Sequence, residues 1–159
     1  MRGAKIIGVL LLPICAIPHV VLSQTKAEIK EASKSPPSVT VNASTQKTKA
    51  GLVGTFTESG YTLQNDSTFL LVFTKPVGVP PADIAAFMFG AGTSDPQENV
   101  RLTLVDHEGT TKVSASTSIV STNHYGRERT MDYNRNGKHN LRVKALLESA
   151  MSKAEGESK

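Results

Sequence analysis

The chain has 159 residues, of which 38% are hydrophobic and 20% are charged, and its formal net charge is +4. Its single cysteine, Cys15, lies in an apolar run near the N-terminus, so a chain that loses this run has no cysteine. The composition of such a mature chain excludes disulfide bonds, cysteine nucleophiles, zinc–thiolate sites and iron–sulfur clusters. An exported protein without disulfides fits a bacterial envelope better than a small eukaryotic secreted scaffold.

Residues 1–23 have the layout of a secretory signal peptide. Arg2 and Lys5 are the only charges before an apolar run over residues 6–22. A cleavage site of the small-residue type is predicted directly before Gln24. This order of a cationic start, an apolar middle and a cleavage site is typical of signal peptides. We therefore expect export to the periplasm or the extracellular space.

Two alternatives for this segment concern the membrane. A retained anchor is disfavoured because the run is shorter than the roughly 20 residues of a spanning helix and contains Pro13 and Pro18. The other alternative is lipid anchoring at Cys15. Leu12 fits the lipoprotein pattern, but Ile14 stands where a small residue is expected.

Residues 24–50 are rich in Lys, Ser, Thr and Ala, contain Pro36-Pro37 and have no aromatic residue. A stretch of this kind buries too little apolar surface to offset the entropy of ordering it. We therefore predict a flexible spacer, and the one competing element is a short strand in "PSVTVNA".

The globular domain is predicted at residues 51–148, because all eight aromatic residues lie between Phe56 and Tyr133. Removal of 23 residues leaves enough chain for one domain. Residues 149–159 return to small and charged side chains, which predicts a frayed polar tail.

The first half of this domain predicts strands. "GLVGTFTESGYTLQ" offers two short strands around Ser59-Gly60, and residues 68–74 form a continuous apolar run typical of a strand buried on both faces. The stretch "GYTLQNDSTFLLVF" resembles the strand–turn–strand unit of many exported bacterial sandwich domains, a resemblance that implies a sandwich fold and no residue role. Residues 80–92, which begin with Pro-Pro and end in glycines, predict one short helix.

Residues 100–105 and 111–119 alternate apolar and polar side chains, which predicts two half-buried strands. Between them "DHEG" reads as a tight turn, with Asp106 as turn starter, Gly109 at positive φ, and His107 and Glu108 at an exposed tip. The alternative is a metal or catalytic site at Asp106, His107 and Glu108. Adjacent loop side chains seldom converge on one ion, so no metal site is assigned.

The C-terminal part predicts a further hairpin, turned at Asn136-Gly137, and from Leu141 a last strand followed by a helical end. With roughly six or seven short strands and turn signals about every ten residues, the expected fold is mainly β. Specifically, we predict a single antiparallel β-sandwich of immunoglobulin-like type with one helical insertion.

One segment, residues 124–144, stands out by its charge. It carries six basic and two acidic side chains, a net charge of +4, whereas residues 24–159 as a whole hold 16 basic and 14 acidic ones. Such a basic stripe with interleaved aromatics can bind anionic lipid or glycan surfaces, and its alternative role is a solvated sheet edge. The residues predicted to contact an anionic partner are Tyr125, Arg127, Arg129, Arg135, Lys138, Arg142 and Lys144.

These features favour an exported, non-enzymatic binding or scaffolding module of the cell envelope or extracellular space, with no cofactor. Neither a Gly-x-Ser-x-Gly nucleophile motif nor a phosphate-binding glycine loop occurs in the sequence. The expected partner is an anionic surface or an envelope protein rather than nucleic acid. Two alternatives remain: a metal-assisted hydrolase using His107, His124 and His139, and an accessory subunit that pairs through an edge strand.

Overall fold

The computed structural model of the protein describes residues 24–78, 80, 82–89, 93–123 and 125–156. The expected signal peptide, Cys15 and His124 lie outside these ranges. Within them, no helix combines the length and the apolar character needed to cross a membrane.

The described part of the chain contains four helices and six strands. In chain order they are α1 (Lys26–Ala32), β1 (Ser38–Val41), α2 (Thr45–Glu58), β2 (Thr62–Asp66), β3 (Leu70–Pro76), α3 (Ala82–Phe89), β4 (Thr93–His107), β5 (Thr110–Asn123), β6 (Glu128–Asp132) and α4 (Gly137–Gly156). All strands pair antiparallel in one sheet of order β1-β5-β4-β3-β2. Strand β6 also pairs with β5, at residues 118–122, whereas β1 pairs with residues 111–114, so the two strands share one edge.

The core lies between one face of this sheet and helices α2 and α4. Alternate residues of the long strands point inward and are buried, because side chains of a strand alternate between its two faces. The helices meet this face with residues at helical spacing, and Phe56 of α2 stacks on Phe73 of β3 with ring centroids 4.8 Å apart. The largest fully buried side chains of this core are Leu52, Phe56, Leu71, Phe73, Val100, Leu102, Leu104, Val113 and Leu147.

Antiparallel β structure is therefore confirmed as the main component, but the immunoglobulin-like sandwich is not. A sandwich requires a second sheet over the core. Here the helices α2 and α4 occupy that position within the described part of the chain. Gly51 permits their close approach, since a Cβ at this position would lie 2.6 Å from the carbonyl oxygen of Ala150.

The segment 24–50, expected to be a spacer, contains α1, β1 and the first turns of α2 instead. Local capping and long-range pairing explain the difference. The side chain of Thr25 accepts a hydrogen bond from the backbone N–H of Glu28, and Glu28 bonds back to the Thr25 N–H, which closes a capping box on α1. Val41 of β1 is buried against the core through its pairing with Thr111 of β5. The strand in "PSVTVNA" is confirmed.

The predicted hairpin at Asn136-Gly137 is wrong, because Gly137 begins α4 and the Asn136 side chain caps this helix. Its Oδ1 accepts a hydrogen bond of 3.0 Å from the backbone N–H of His139. Helix α4 also replaces the expected strand after Leu141 and continues through the expected tail. Ala150, Met151 and Ala154 are buried, so tertiary packing holds this end of the helix in place.

The "DHEG" turn and the short helix are confirmed. Asp106 and His107 still belong to β4 and pair with Thr111 and Thr110, and Glu108 (φ 47°) and Gly109 (φ 85°) form the two-residue loop. Positive φ at both loop positions is the conformation of a type I′ hairpin. The apolar run at 68–74 gives β3, but only alternate residues of this strand are fully buried.

Candidate functional site

A cavity of about 650 Å³ lies between α3, the sheet and the N-terminal half of α4. We call it the α3–α4 cavity. Its lining residues come from five places: the end of β3, α3, the middle of β4 and β5, the segment after β6, and α4. They are Lys75, Pro76, Val77, Gly78, Ile84, Glu98, Ile119, Tyr133, Asn136, Lys138, His139 and Arg142.

One wall of the cavity is apolar. Ile84 of α3, Ile119 of β5 and Tyr133 form a small core that is separate from the main one, and Val77 and Met131 pack against it. Helix α3 takes part in this core by packing Ile84 against Ile119 of β5. Because Ile84, Ile119 and Tyr133 are themselves buried, the apolar surface open to a small molecule comes from Pro76 and Val77.

A second wall of the cavity is polar and is built on Glu98 of β4. The Glu98 side chain is 8% exposed, and its two oxygens accept hydrogen bonds from the Tyr61 hydroxyl and from Nη2 of Arg142. Nη2 of Arg142 also donates to the Tyr61 oxygen at 3.1 Å. Burial, and the Glu98 carboxylate beside the hydroxyl, raise the pKa of Tyr61, so Tyr61 stays a neutral donor.

His139, in the first turn of α4, completes this wall. Its Nε2 lies 3.6 Å from Oε1 of Glu98, beyond hydrogen-bond distance, and is a buried nitrogen without a hydrogen-bond partner. Its Nδ1 lies 3.4 Å from Nη2 of Arg142, a contact in which Nδ1 accepts when it carries no proton. Burial lowers the pKa of His139, the nearby Glu98 carboxylate opposes this shift, and the Arg142 charge adds to it.

Two lysines add positive charge to the cavity. Lys75 is held in place, since its Nζ donates to the Ser59 carbonyl at 2.8 Å and lies 5.2 Å from the centre of the Tyr61 ring. Lys138 is exposed, and its ammonium group makes no ion pair within the described residues. With a neutral His139, the lining side chains carry three positive charges and one negative charge.

Comparison with known proteins does not assign the chain to a family. The chain matches no protein-family model, and no curated protein shows significant similarity to it.

In the structure, the residues of the predicted basic segment lie in different places. Lys138 and Arg142 line the cavity, one helical turn apart on α4. Lys144 lies on a different side of α4, 3.7 Å from Glu148, and lines a separate groove against α1. The remaining predicted residues, Tyr125, Arg127, Arg129 and Arg135, are exposed around β6 and the turn after it.

The residues of "DHEG" do not form a site with the other candidates. Asp106, His107 and Glu108 are exposed at the tip of the β4–β5 hairpin, and Oδ2 of Asp106 accepts a hydrogen bond of 3.0 Å from Thr45. Nine residues of strand separate His107 from Glu98, roughly 30 Å at the usual rise. His107 and His139 are therefore not brought together, and the described residues include no cluster of three or more metal ligands.

Sequence reasoning missed Glu98 and Tyr61, although the sequence holds a signal for Glu98. Glu98 precedes Val100, Leu102 and Leu104 at intervals of two, so the alternation that buries the three apolar residues buries Glu98 as well. A carboxylate on the inward face of a strand must have a partner. The partner, Arg142, lies 44 residues away, and nothing local in the sequence reveals it.

Proposed function

We propose that the protein is an exported, non-enzymatic binding module that holds a small molecule in the α3–α4 cavity. The observation that carries this proposal is the cavity itself, whose lining joins the apolar side chains of Pro76 and Val77 to the polar side chains of Glu98 and Arg142. Its volume of about 650 Å³ is in the range of cavities that bind small ligands. A few polar groups against an apolar surface can fix the orientation of a ligand.

The interactions of the polar wall support binding rather than catalysis. The Glu98 carboxylate is engaged by Tyr61 and Arg142, and the Lys75 amine by the Ser59 carbonyl. A general base needs its lone pair available to the substrate proton. Since each of these groups already has a partner within the protein, we propose that they shape the cavity and do not transfer protons.

A variant that fills the cavity tests this proposal. Gly78 lines the cavity, and a Cβ there meets no atom within 4 Å, so Gly78→Trp places a large side chain at the mouth without a backbone clash. The matched control is Gly54→Trp in α2, where a Cβ also meets no atom within 4 Å and which does not line the cavity. Binding of 1-decanol, kept below its solubility limit, is measured by isothermal titration calorimetry.

We expect saturable binding of 1-decanol to the unmodified protein and to Gly54→Trp, and its loss in Gly78→Trp. No saturable binding to the unmodified protein, or equal binding to all three, would contradict the proposed site. Hydrolysis of ester substrates by the metal-loaded protein would contradict the non-enzymatic part of the proposal.

Export is proposed from residues 1–23 alone. The supporting feature is the cationic start followed by the apolar run. N-terminal sequencing of the protein recovered from the envelope or the medium of the producing cells should give Gln24. A chain that starts at Met1 would contradict cleavage, and an acylated N-terminal cysteine would show lipid anchoring at Cys15 instead.

Contact with anionic surfaces is a second candidate function, and the exposure of Tyr125 favours it. This side chain is 77% exposed, in a turn followed by the exposed Arg127 and Arg129. An amphipathic ring among cations fits a lipid head-group region. Cosedimentation of the protein with anionic vesicles should weaken as salt is added and should be lost when Arg127, Arg129 and Arg135 are changed to Ser. Equal cosedimentation of the protein and the variant with the vesicles would indicate that these arginines only face solvent at the edge of the sheet.

A further inference from the structure

We propose that the ligand of the α3–α4 cavity is a small amphiphilic anion, with a carboxylate or phosphate head group on an apolar body. This inference rests on the proposed function and adds the chemical class of the ligand. Within the described residues that line the cavity, Lys75, Lys138 and Arg142 outnumber the single carboxylate of Glu98. An anionic ligand would balance this excess of positive charge, and a cationic ligand would increase it.

Arg142 is the first residue placed to receive the head group. Its contacts with Glu98, Tyr61 and His139 all involve Nη2, so the N–H groups on Nε and Nη1 have no partner among the described residues and remain as donors. Half of the side chain is exposed, which leaves these donors accessible. The buried partners on Nη2 fix the plane of the guanidinium, and a fixed plane favours two parallel hydrogen bonds to one carboxylate or phosphate.

Lys138 is the second residue. It precedes Arg142 by four positions, and residues four apart lie on the same face of a helix. Its ammonium group has no partner in the described part of the chain, so an incoming anion does not have to displace one. Lys138 also lies in the first turn of α4, where the helix dipole adds partial positive charge.

The apolar wall specifies the rest of the ligand. Ile84, Ile119 and Tyr133 are buried, so Pro76 and Val77, which are at least partly exposed, supply the apolar surface that a ligand can touch. A ligand that reaches this surface from Lys138 and Arg142 must carry an apolar body behind its head group. Inorganic phosphate or acetate lacks that body and should bind weakly.

A set of probes that share one alkyl chain length and differ in head group separates the contribution of the head group to the affinity from that of the apolar body. Affinities of decanoate, decyl phosphate, 1-decanol and decylammonium are measured by isothermal titration calorimetry, each below its critical micelle concentration or solubility limit. The same titrations are run on Lys138→Met, which removes the charge and keeps a similar side-chain length. The control is Lys144→Met on the same helix, since Lys144 does not line this cavity.

We expect the two anions to bind more tightly than 1-decanol, and decylammonium to bind most weakly. In Lys138→Met the affinity for decanoate should fall by up to about fivefold, the upper range for an exposed charge pair, while that for 1-decanol stays the same. Lys144→Met should leave both affinities unchanged. The relative affinities of decanoate and decyl phosphate then show which head group the site prefers.

Two failures can be told apart. If 1-decanol binds as tightly as the anions, or if both lysine variants weaken decanoate equally, the cavity binds small molecules and the inferred preference for an anion is wrong. If none of the probes binds saturably, the proposed function and this inference are both wrong.

Discussion

Glu98 is the residue on which the polar wall of the cavity depends. It is a buried carboxylate that accepts hydrogen bonds from a tyrosine and an arginine of two other elements. A buried pair of this kind adds less net stability than its short contacts suggest, because both charges lose hydration. Removal of one partner is costly, because the other partner loses its counter-charge.

Substitution of Glu98 by Gln should therefore destabilise the protein. Glu98→Gln keeps the shape and removes the charge that faces Arg142, and we expect a loss of about 2 kcal/mol in the free energy of unfolding. Urea denaturation measures this loss as a lower midpoint with an unchanged m-value. The control is Glu58→Gln, whose partner Lys153 is exposed, and it should cost less than about 0.5 kcal/mol. Equal effects of the two substitutions would contradict the role given to Glu98.

His139 should make stability depend on pH. Burial lowers its pKa below the usual 6.5, so on acidification the unfolded chain takes up the proton first. The free energy of unfolding should then fall as the pH decreases below 6.5, by up to about 1.4 kcal/mol per pH unit, until the pKa of the folded state is reached.

The measurement is urea denaturation at several pH values between 7 and 5. His139→Asn should flatten the dependence on pH, whereas His107→Asn, at the exposed hairpin tip, should leave it unchanged. A slope that persists in His139→Asn would show that another group is responsible.

At the scale of elements, the start of α4 is held close to α1. A Cβ at Gly137 would lie 1.9 Å from the carbonyl oxygen of Ile29, and this contact is with backbone, which cannot rotate away. Gly137→Ala should push α1 off the helix and cost roughly 1–3 kcal/mol in thermal or urea unfolding. Gly156→Ala in the same helix is the control, since its Cβ meets nothing within 4 Å. Equal stability of the two variants would contradict the close packing of α1.

The turn that local chemistry determines at "DHEG" could be predicted from the sequence, whereas α1 was missed although its capping box is local, and the elements that long-range packing determines could not be predicted. The "DHEG" hairpin follows from a glycine at positive φ between two alternating strands. Asn136-Gly137 carries the same turn signal but begins a helix, because Val143 and Leu147 bury one face of α4 against the sheet. Arg142 and His139 were candidates from the sequence, but their partner Glu98 required the fold.

For the whole molecule, residues 24–50 belong to the folded unit and are not a spacer. They supply a strand at the edge of the sheet and half of α2, and Val41, Ala43 and Thr48 are buried. A chain of residues 51–159 would expose the surfaces that these residues cover. We expect this chain to unfold without a cooperative thermal transition, in contrast to a chain of residues 24–159. Identical thermal transitions for the two chains would show that residues 24–50 do act as a spacer.

Binding in the α3–α4 cavity can be located residue by residue by mapping backbone amide chemical shifts of the ¹⁵N-labelled protein during a titration with decanoate. We expect saturable changes concentrated at Gly78, Ile119, Lys138 and Arg142, which reach the cavity from the loop after β3, from β5 and from α4. Changes confined to the exposed turn at Tyr125, or an absence of saturable changes, would contradict binding in this cavity.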